Sequence, residues 1–228
     1  MPAHLSMASC RQGFGRHLPV VAEQPAFEPI DDRHWIVSVL HVAANQVIYA
    51  EGDDADAFYC IASGVVRACR FSGDGQRQIE AFYGNGDLFG CEPAARRCFT
   101  VEAVCDCTIM CYRRRGPAVC PPGGMPGHRV VPVIMRDRAR TRERTMLLDH
   151  RDAAERVAAF LLDWNRRCGR GDAITLAMTR NDIADYLGLT FETVSRSFAQ
   201  LEREGLIEFA SARRIRILDR DGLEDLTR

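Results

Sequence analysis

The stretch TRNDIADYLGLTFETVSRSFAQLEREGLIEF, residues 179–209, decides how this chain is read. A helix-turn-helix needs a small residue where its second helix crosses the first, a glycine in the turn, and apolar side chains that lock the two helices together. Ala184, Gly188 and the set Ile183, Leu187, Leu189, Val194, Phe198 and Leu201 meet those demands in the required order. The hydroxyl of Thr190 is placed to cap the second helix. With Val194, Phe198 and Leu201 turned inward, Phe191, Glu192, Ser195 and Arg196 remain as an outward, base-reading face. An arginine fork can donate to guanine O6 and N7, a carboxylate can accept from cytosine N4, and a ring can meet a thymine methyl. Glu192 and Arg196 also suit an intrahelical ion pair, worth roughly 0.3 kcal/mol. The two readings are compatible, because such a pair would hold the fork in place.

Downstream, LIEFASARRIRIL (206–218) reads as two short strands around a turn at Ser211 to Arg213. This is a wing whose Arg213, Arg214 and Arg216 would meet phosphates, or else a solvated hairpin edge. Thr179, Arg180, Thr190, Thr193, Arg213 and Arg214 are the phosphate-contacting candidates. Upstream, a helix runs from about Ala153 to Arg167. Before it, VVPVIMRDRARTRERTMLLDHRD (130–152) carries Val131, Ile134 or Met135, Ala139, Arg142 and Met146 as a rough stripe at helical spacing. Such a stripe suits a parallel dimer helix, the alternative being packing on the chain's own β domain. The segment GPAVCPPGGMPG (116–127), with four prolines and four glycines, marks a domain boundary.

From Gln46 to Tyr112, short β-branched and aromatic runs are broken by EGDD, ASG, SGDG and GNGD, the signature of an all-β domain. Before it, IDDRHWIVSVLHV (30–42) places Ile36, Val39 and Leu40 at helical spacing behind an acidic start and predicts a short helix. Residues 1–28 have no period and read as a mobile arm. The expected organisation is arm 1–28, β domain 29–125, dimer helix 126–150 and DNA-binding domain 151–228.

The stretch EAVCDCTIMCYRR (102–114) admits a metal site, a redox switch or core packing. With a period of two, Val101, Ala103, Cys105, Cys107, Ile109 and Cys111 share one face, and Glu102, Asp106, Thr108 and Tyr112 the other. Cysteine serves there as a small hydrophobe, although a turn near Asp106 would break the alternation. Core packing is the preferred reading, with Cys111 kept as a candidate for redox sensing.

Composition narrows the functional classes. All 30 basic residues are arginine, so Schiff-base lysine chemistry and a Walker lysine are excluded. The formal net charge is −1, so nucleic-acid binding must come from local placement. Ten cysteines in 228 residues, with no export signal, read as reduced thiols. No apolar run approaches the roughly 20 residues of a membrane span, so no membrane association and a cytoplasmic location are expected. No nucleophile–base constellation or phosphate loop marks an enzyme.

Taken together, AEGDDADAFYCIASGVV, GDGQRQIEAFYGNGDLFG and TRNDIADYLGLTFETVSR resemble the family of the cyclic-AMP receptor protein and the fumarate and nitrate reduction regulator. The resemblance runs from about residue 30 to 218. It implies an α+β chain with an N-terminal β-roll (a cupin-like double-stranded jelly roll), a long dimerisation helix and a C-terminal winged helix-turn-helix. DIADYLGLTFETVSR most resembles the FixK-like branch, regulators of oxygen-limited, denitrifying or nitrogen-fixing metabolism. Glu192, Ser195 and Arg196 look like the pattern that reads a TTGA half-site there. A homodimer on an inverted repeat of double-stranded DNA, recruiting RNA polymerase and usually activating, is what the resemblance implies.

The effector is where the sequence departs from the family. The ribose-binding acid should follow Gly90, where this chain has Cys91; Arg97 falls near the phosphate position, with Cys98 in place of a hydroxyl. An iron-sulfur cluster usually takes four thiolates. Cys111 falls at one family ligand position, but the N-terminal group is reduced to Cys10. The six histidines form no haem motif. No cofactor is therefore expected, the alternative being a sensor of the same fold with iron-sulfur, haem or cyclic nucleotide in the β-roll.

Overall fold

A computed structural model describes residues 35–73, 75–91, 95–114, 135, 145, 152–169 and 171–227. The expected arm, Cys10, and the dimer-helix residues Val131, Ile134, Ala139, Arg142 and Met146 lie outside them. Met135 is helical and 61% exposed.

Among the described residues, eight strands make the N-terminal domain: β1 Trp35–Val42, β2 Val47–Tyr49, β3 Ala57–Ser63, β4 Val66–Phe71, β5 Arg77–Tyr83, β6 Leu88–Phe89, β7 Thr100–Ala103 and β8 Cys107–Arg114. They form two antiparallel four-stranded sheets, ordered β1-β8-β3-β6 and β2-β7-β4-β5. Alternate side chains of each sheet meet in a shared core: Tyr49, Val66, Ala68, Val101 and Ala103 from one, Tyr59, Ile61, Phe89, Cys107, Ile109 and Cys111 from the other. This is the expected β-roll.

The short helix expected over 30–42 is a correction, because Trp35–Val42 is a strand. Ile36, Val37, Val39 and Val42 are β-branched and favour extended backbone. The free edge of β8 then pairs with the segment along its whole length, from Trp35 opposite Arg114 to Val42 opposite Cys107. Ile36, Val37 and Val39 stay about half exposed. Their helical spacing therefore did not reflect a buried helix face.

The one-faced alternation from Val101 to Cys111 holds in part. All six residues contribute to the β-roll core, Cys105 from a half-buried position at its rim. They do so from two strands in different sheets, joined by a bend at Val104 and Cys105. The opposite face is not solvated throughout. Tyr112 is buried and stacks on Phe58 at 4.8 Å, in a small cluster with Cys60 outside the first sheet.

The C-terminal domain comprises α1 Ala153–Cys168, β9 Ala173–Thr175, α2 Arg180–Leu187, α3 Phe191–Arg203, β10 Ile207–Ser211, β11 Arg214–Ile217 and α4 Arg220–Asp225. Helix α1 starts on a capping box formed by Asp152 and Glu155. Its Phe160 and Trp164 pack against Phe82 of β5 and Tyr186 of α2, so the second sheet and the helices share one apolar core. Two elements escaped the sequence reading. β9 adds a third strand to the hairpin through β11, and α4 is six residues long with little periodicity to betray it.

Candidate nucleic-acid interface

Helix α2 begins at a reciprocal cap. The Thr179 hydroxyl accepts from Asp182 N–H at 3.1 Å, and the Asp182 carboxylate accepts from Thr179 N–H at 2.9 Å and from its hydroxyl at 2.8 Å. It ends at Gly188, whose φ of 63° and ψ of 38° are left-handed, a conformation glycine adopts without steric cost. After that turn the Thr190 hydroxyl accepts from Thr193 N–H at 3.2 Å and starts α3. Ile183, Leu187, Val194 and Leu201 are fully buried, with Ala184 and Phe198 nearly so. Leu189 N–H donates to Ala184 carbonyl oxygen at 3.0 Å, clamping the turn.

The residues expected to read bases lie where the periodicity put them. Phe191 is 48% exposed, Glu192 and Arg196 are exposed, and Ser195 is half-buried. The Arg196 guanidinium leans back, donating from Nε to Glu192 carbonyl oxygen at 3.4 Å. Among the described residues the Glu192 and Arg196 side chains form no ion pair. Their charged groups are thus both presented outward.

The phosphate-contacting candidates divide. Arg213 at the wing turn and Arg214 at the start of β11 are exposed, and Arg216 is exposed but paired with Glu208. Thr190 and Thr193 are at the N-terminus of α3, their hydroxyls 3.0 Å apart, and the exposed Thr179 begins α2. Backbone N–H groups at such helix starts favour anions. Arg180, the remaining candidate, is half-buried. Its guanidinium carbon lies 3.4 Å over the Phe198 ring and 5.0 Å from Phe209, and its Nη1 is buried without a hydrogen-bond partner. Burial lowers its pKa to about 10. Spacing placed Arg180 at a helix start; only the fold brings two aromatic rings beneath it.

Sequence reasoning missed the junction that holds this surface. Arg67 of β4 donates to Glu102 at 2.9 Å, to Asp182 at 3.1 Å and to Asn45 at 3.2 Å. Arg77 of β5 donates to Asp185 and to Asp182, both at 2.8 Å. Asp182 is 2% exposed and joins the β-roll to the first helix of the helix-turn-helix. Partners separated by more than 100 residues leave no periodic signal.

Arg97 is buried within the β-roll. It is 3% exposed and donates to Gly90 carbonyl oxygen at 2.8 Å and to that of Ala57 at 2.5 Å. Its guanidinium lies 4.3 Å from the Tyr49 ring and 5.6 Å from that of Tyr59. Tyr49, Tyr59 and Phe89 stack on one another around it. Among the described residues no group of three or more His, Cys, Asp or Glu side chains is placed to hold a metal. None of the described helices is long and apolar enough to cross a membrane.

Comparison with known proteins places this geometry. The Crp-like helix-turn-helix domain family matches residues 155–226, and the cyclic nucleotide-binding domain family matches residues 39–116. The nitrogen fixation regulation protein FixK of Azorhizobium caulinodans is 41% identical over 191 residues, 81% of this chain and 77% of that protein. FixK of Rhizobium meliloti is 36% identical, over 78% of this chain and 82% of that protein. The structure of FixK2 from Bradyrhizobium japonicum superposes with a TM-score of 0.76 at 31% identity, covering 85% of this chain and 98% of that one. A helix-turn-helix with an exposed reading face, docked on a β-roll and shared with these relatives, is that of a transcription regulator, and the chain belongs to the FixK-like branch of the cyclic-AMP receptor protein and fumarate and nitrate reduction regulator family.

Proposed function

We propose that this regulator acts as a homodimer on a TTGA-type inverted repeat, activating genes of oxygen-limited metabolism by recruiting RNA polymerase, with no bound effector and in the cytoplasm. The observation that carries the reading is the face of α3. Phe191, Glu192, Ser195 and Arg196 point away from the buried Val194, Phe198 and Leu201, and Arg213 and Arg214 of the wing are exposed as well. Arg196 supplies the fork for guanine, Glu192 the acceptor for cytosine N4 and Phe191 the apolar contact for a thymine methyl. The wing arginines and helix starts fix register on the phosphates without reading sequence.

The relatives support the physiological side of the reading. They include the transcriptional activatory protein AadR of Rhodopseudomonas palustris at 37% identity and the anaerobic regulatory protein of Haemophilus influenzae at 30%. A dimer accounts for the inverted repeat, since a two-fold protein matches a two-fold site. Arg97 supports activity without an effector. The cation that would meet a nucleotide phosphate is already committed to two carbonyl oxygens and two rings, and Cys91 replaces the ribose-binding acid.

The experiment is selection of bound DNA from random sequence, with and without oxygen, on protein purified under both conditions. TTGA inverted repeats recovered in both arms by a colourless protein support the reading. An unrelated sequence refutes the recognition face. Binding that depends on anaerobic purification and a coloured, iron-containing protein refutes the absence of an effector.

A further inference from the structure

Helices α2 and α3 share the buried Ile183, Leu187, Val194 and Leu201, so whatever fixes α2 also fixes the reading face of α3. Strand β5 grips the DNA-binding domain at both of its ends. At its start Arg77 donates to Asp182 and Asp185 of α2, both at 2.8 Å, and Arg67 of the neighbouring β4 reaches Asp182 at 3.1 Å. At its other end the Phe82 carbonyl oxygen accepts from Arg167 of α1 at 2.7 Å, and Arg167 also pairs with Asp87 at 3.3 Å. Just beyond, a Cβ on Gly84 would come within 2.8 Å of Cys168 Sγ, so the end of α1 closes on bare backbone. Beside this second anchor the Phe82 ring meets Trp164 of α1 at 6.2 Å and Tyr186 of α2 at 5.2 Å. Arg77 and Phe82 stand about 15 Å apart at roughly 3.3 Å per residue of strand. A single ion pair would leave a pivot. With an anchor at each end, about 1 Å of slack on a lever of about 15 Å tilts the domain by only about 4°, and the packed aromatic contact resists even that.

We propose that Arg67, Arg77 and Arg167 are positioning residues for DNA binding. Acting through Asp182, Asp185 and the Phe82 carbonyl, they hold the helix-turn-helix at one tilt on the β-roll, so that the two copies of a dimer present their reading faces at a single half-site spacing. The inference rests on the dimeric reading above and goes beyond it, because none of the three arginines touches DNA. Half-sites about one helical turn apart face the same side of the duplex, and one base pair more or less turns the second by roughly 35°. A domain held to a few degrees cannot follow that rotation. Its orientational freedom is lost on folding rather than on binding, which preorganises the reading face without a ligand.

The test is fluorescence anisotropy of the full-length protein on the inverted repeat that selection recovers, with the half-site spacing kept, lengthened or shortened by one base pair. Wild type should prefer one spacing by about tenfold or more, comparable to the discrimination against one mismatched base pair. The Arg77→Gln, Arg167→Gln double variant, shown to be folded by circular dichroism at the assay temperature, should bring that ratio to about threefold or less. Base preference within each half-site, which belongs to α3, should stay as it was. Loss of folded protein alone would weaken every spacing by the same factor and leave the ratio, so the ratio reports orientation. The proposal falls if the folded double variant keeps the wild-type ratio, or if it binds the preferred spacing more tightly, since the junction would then hold α3 off the DNA. Should that variant not fold, Asp185→Ala, which leaves Arg77 with Asp182 alone, takes its place with the same two readings. A wild type that binds a lone half-site as tightly as the repeat refutes the dimer and this inference together. A sharp wild-type preference shared by the variants refutes this inference alone.

Discussion

Replacing Asp182 by alanine should cost more stability than any change on the reading face. One carboxylate oxygen accepts from Arg67 and Arg77, and the other from the backbone and hydroxyl of Thr179. The Asp182 side chain is 3% exposed, that of Arg67 8% and that of Arg77 23%. Removing one member of a buried ion pair costs about 3–5 kcal/mol, because the remaining charge stays desolvated without its partner. Loss of the helix cap adds about 1 kcal/mol. Glu102 still neutralises Arg67 and Asp185 still neutralises Arg77, which holds the total to about 4 kcal/mol. For a chain of this size that lowers the melting temperature by roughly 10 °C. Asp182→Asn keeps an oxygen for the cap and should lose about half as much. Asp185→Ala removes a carboxylate whose side chain is 30% exposed and should cost no more than about 1 kcal/mol. Urea and thermal unfolding followed by circular dichroism, at one fixed protein concentration, measure all three. If Asp182→Ala fell within about 1 kcal/mol of wild type, or if Asp185→Ala were equally damaging, the junction would not be what holds the two domains together.

Arg196→Ala should cost about 1–3 kcal/mol of DNA affinity and relax preference at the half-site guanine, whereas Arg213→Ala should weaken binding to all sequences alike and reduce the salt slope by about 1. Fluorescence anisotropy over a salt series separates the two, and normal binding of TTGA repeats by Arg196→Ala would refute the recognition face. Arg97→Ala leaves the carbonyl oxygens of Ala57 and Gly90 without their buried donor and should destabilise the β-roll by about 2–4 kcal/mol. Wild-type protein should show no rise in melting temperature with millimolar cyclic AMP, and a rise would mean Arg97 yields to the nucleotide. Burial raises the pKa of both Cys60 and Cys69 to about 11, with Asp87 and Glu102 adding respectively. Above the ordinary thiol value the unfolded chain releases protons that the folded one retains. Stability is therefore full below about pH 9 and falls as pH rises toward 11. Thermal melts across that range should flatten in the Cys60→Ala, Cys69→Ala double variant.

The helix-turn-helix was legible because its determinants are local. Ala184, Gly188, the cap at Thr190 and the apolar set at Val194, Phe198 and Leu201 lie within a few turns of one another. Helical period alone then assigns an inside and an outside, and Phe191, Glu192, Ser195 and Arg196 fall outside without reference to the rest of the chain. The β-roll was legible from turn residues and β-branched runs, and the resemblance supplied its closure into two sheets. Where the reading failed, a distant partner decided. Trp35–Val42 has spacing that fits a helix, but it becomes a strand because β8 offers an edge some 70 residues away. The stacking of Arg180 on Phe198 and Phe209 was likewise not visible in the sequence. Asp182 carries no mark in the sequence, and only the docking of α2 on β4 and β5 makes it the centre of a buried ion network. By itself the sequence determined the elements whose energy comes from neighbours along the chain, and so the outward face of α3. The tertiary structure alone decided which charges are buried and how the DNA-binding domain is held, because those energies depend on desolvation and distance between residues far apart in sequence.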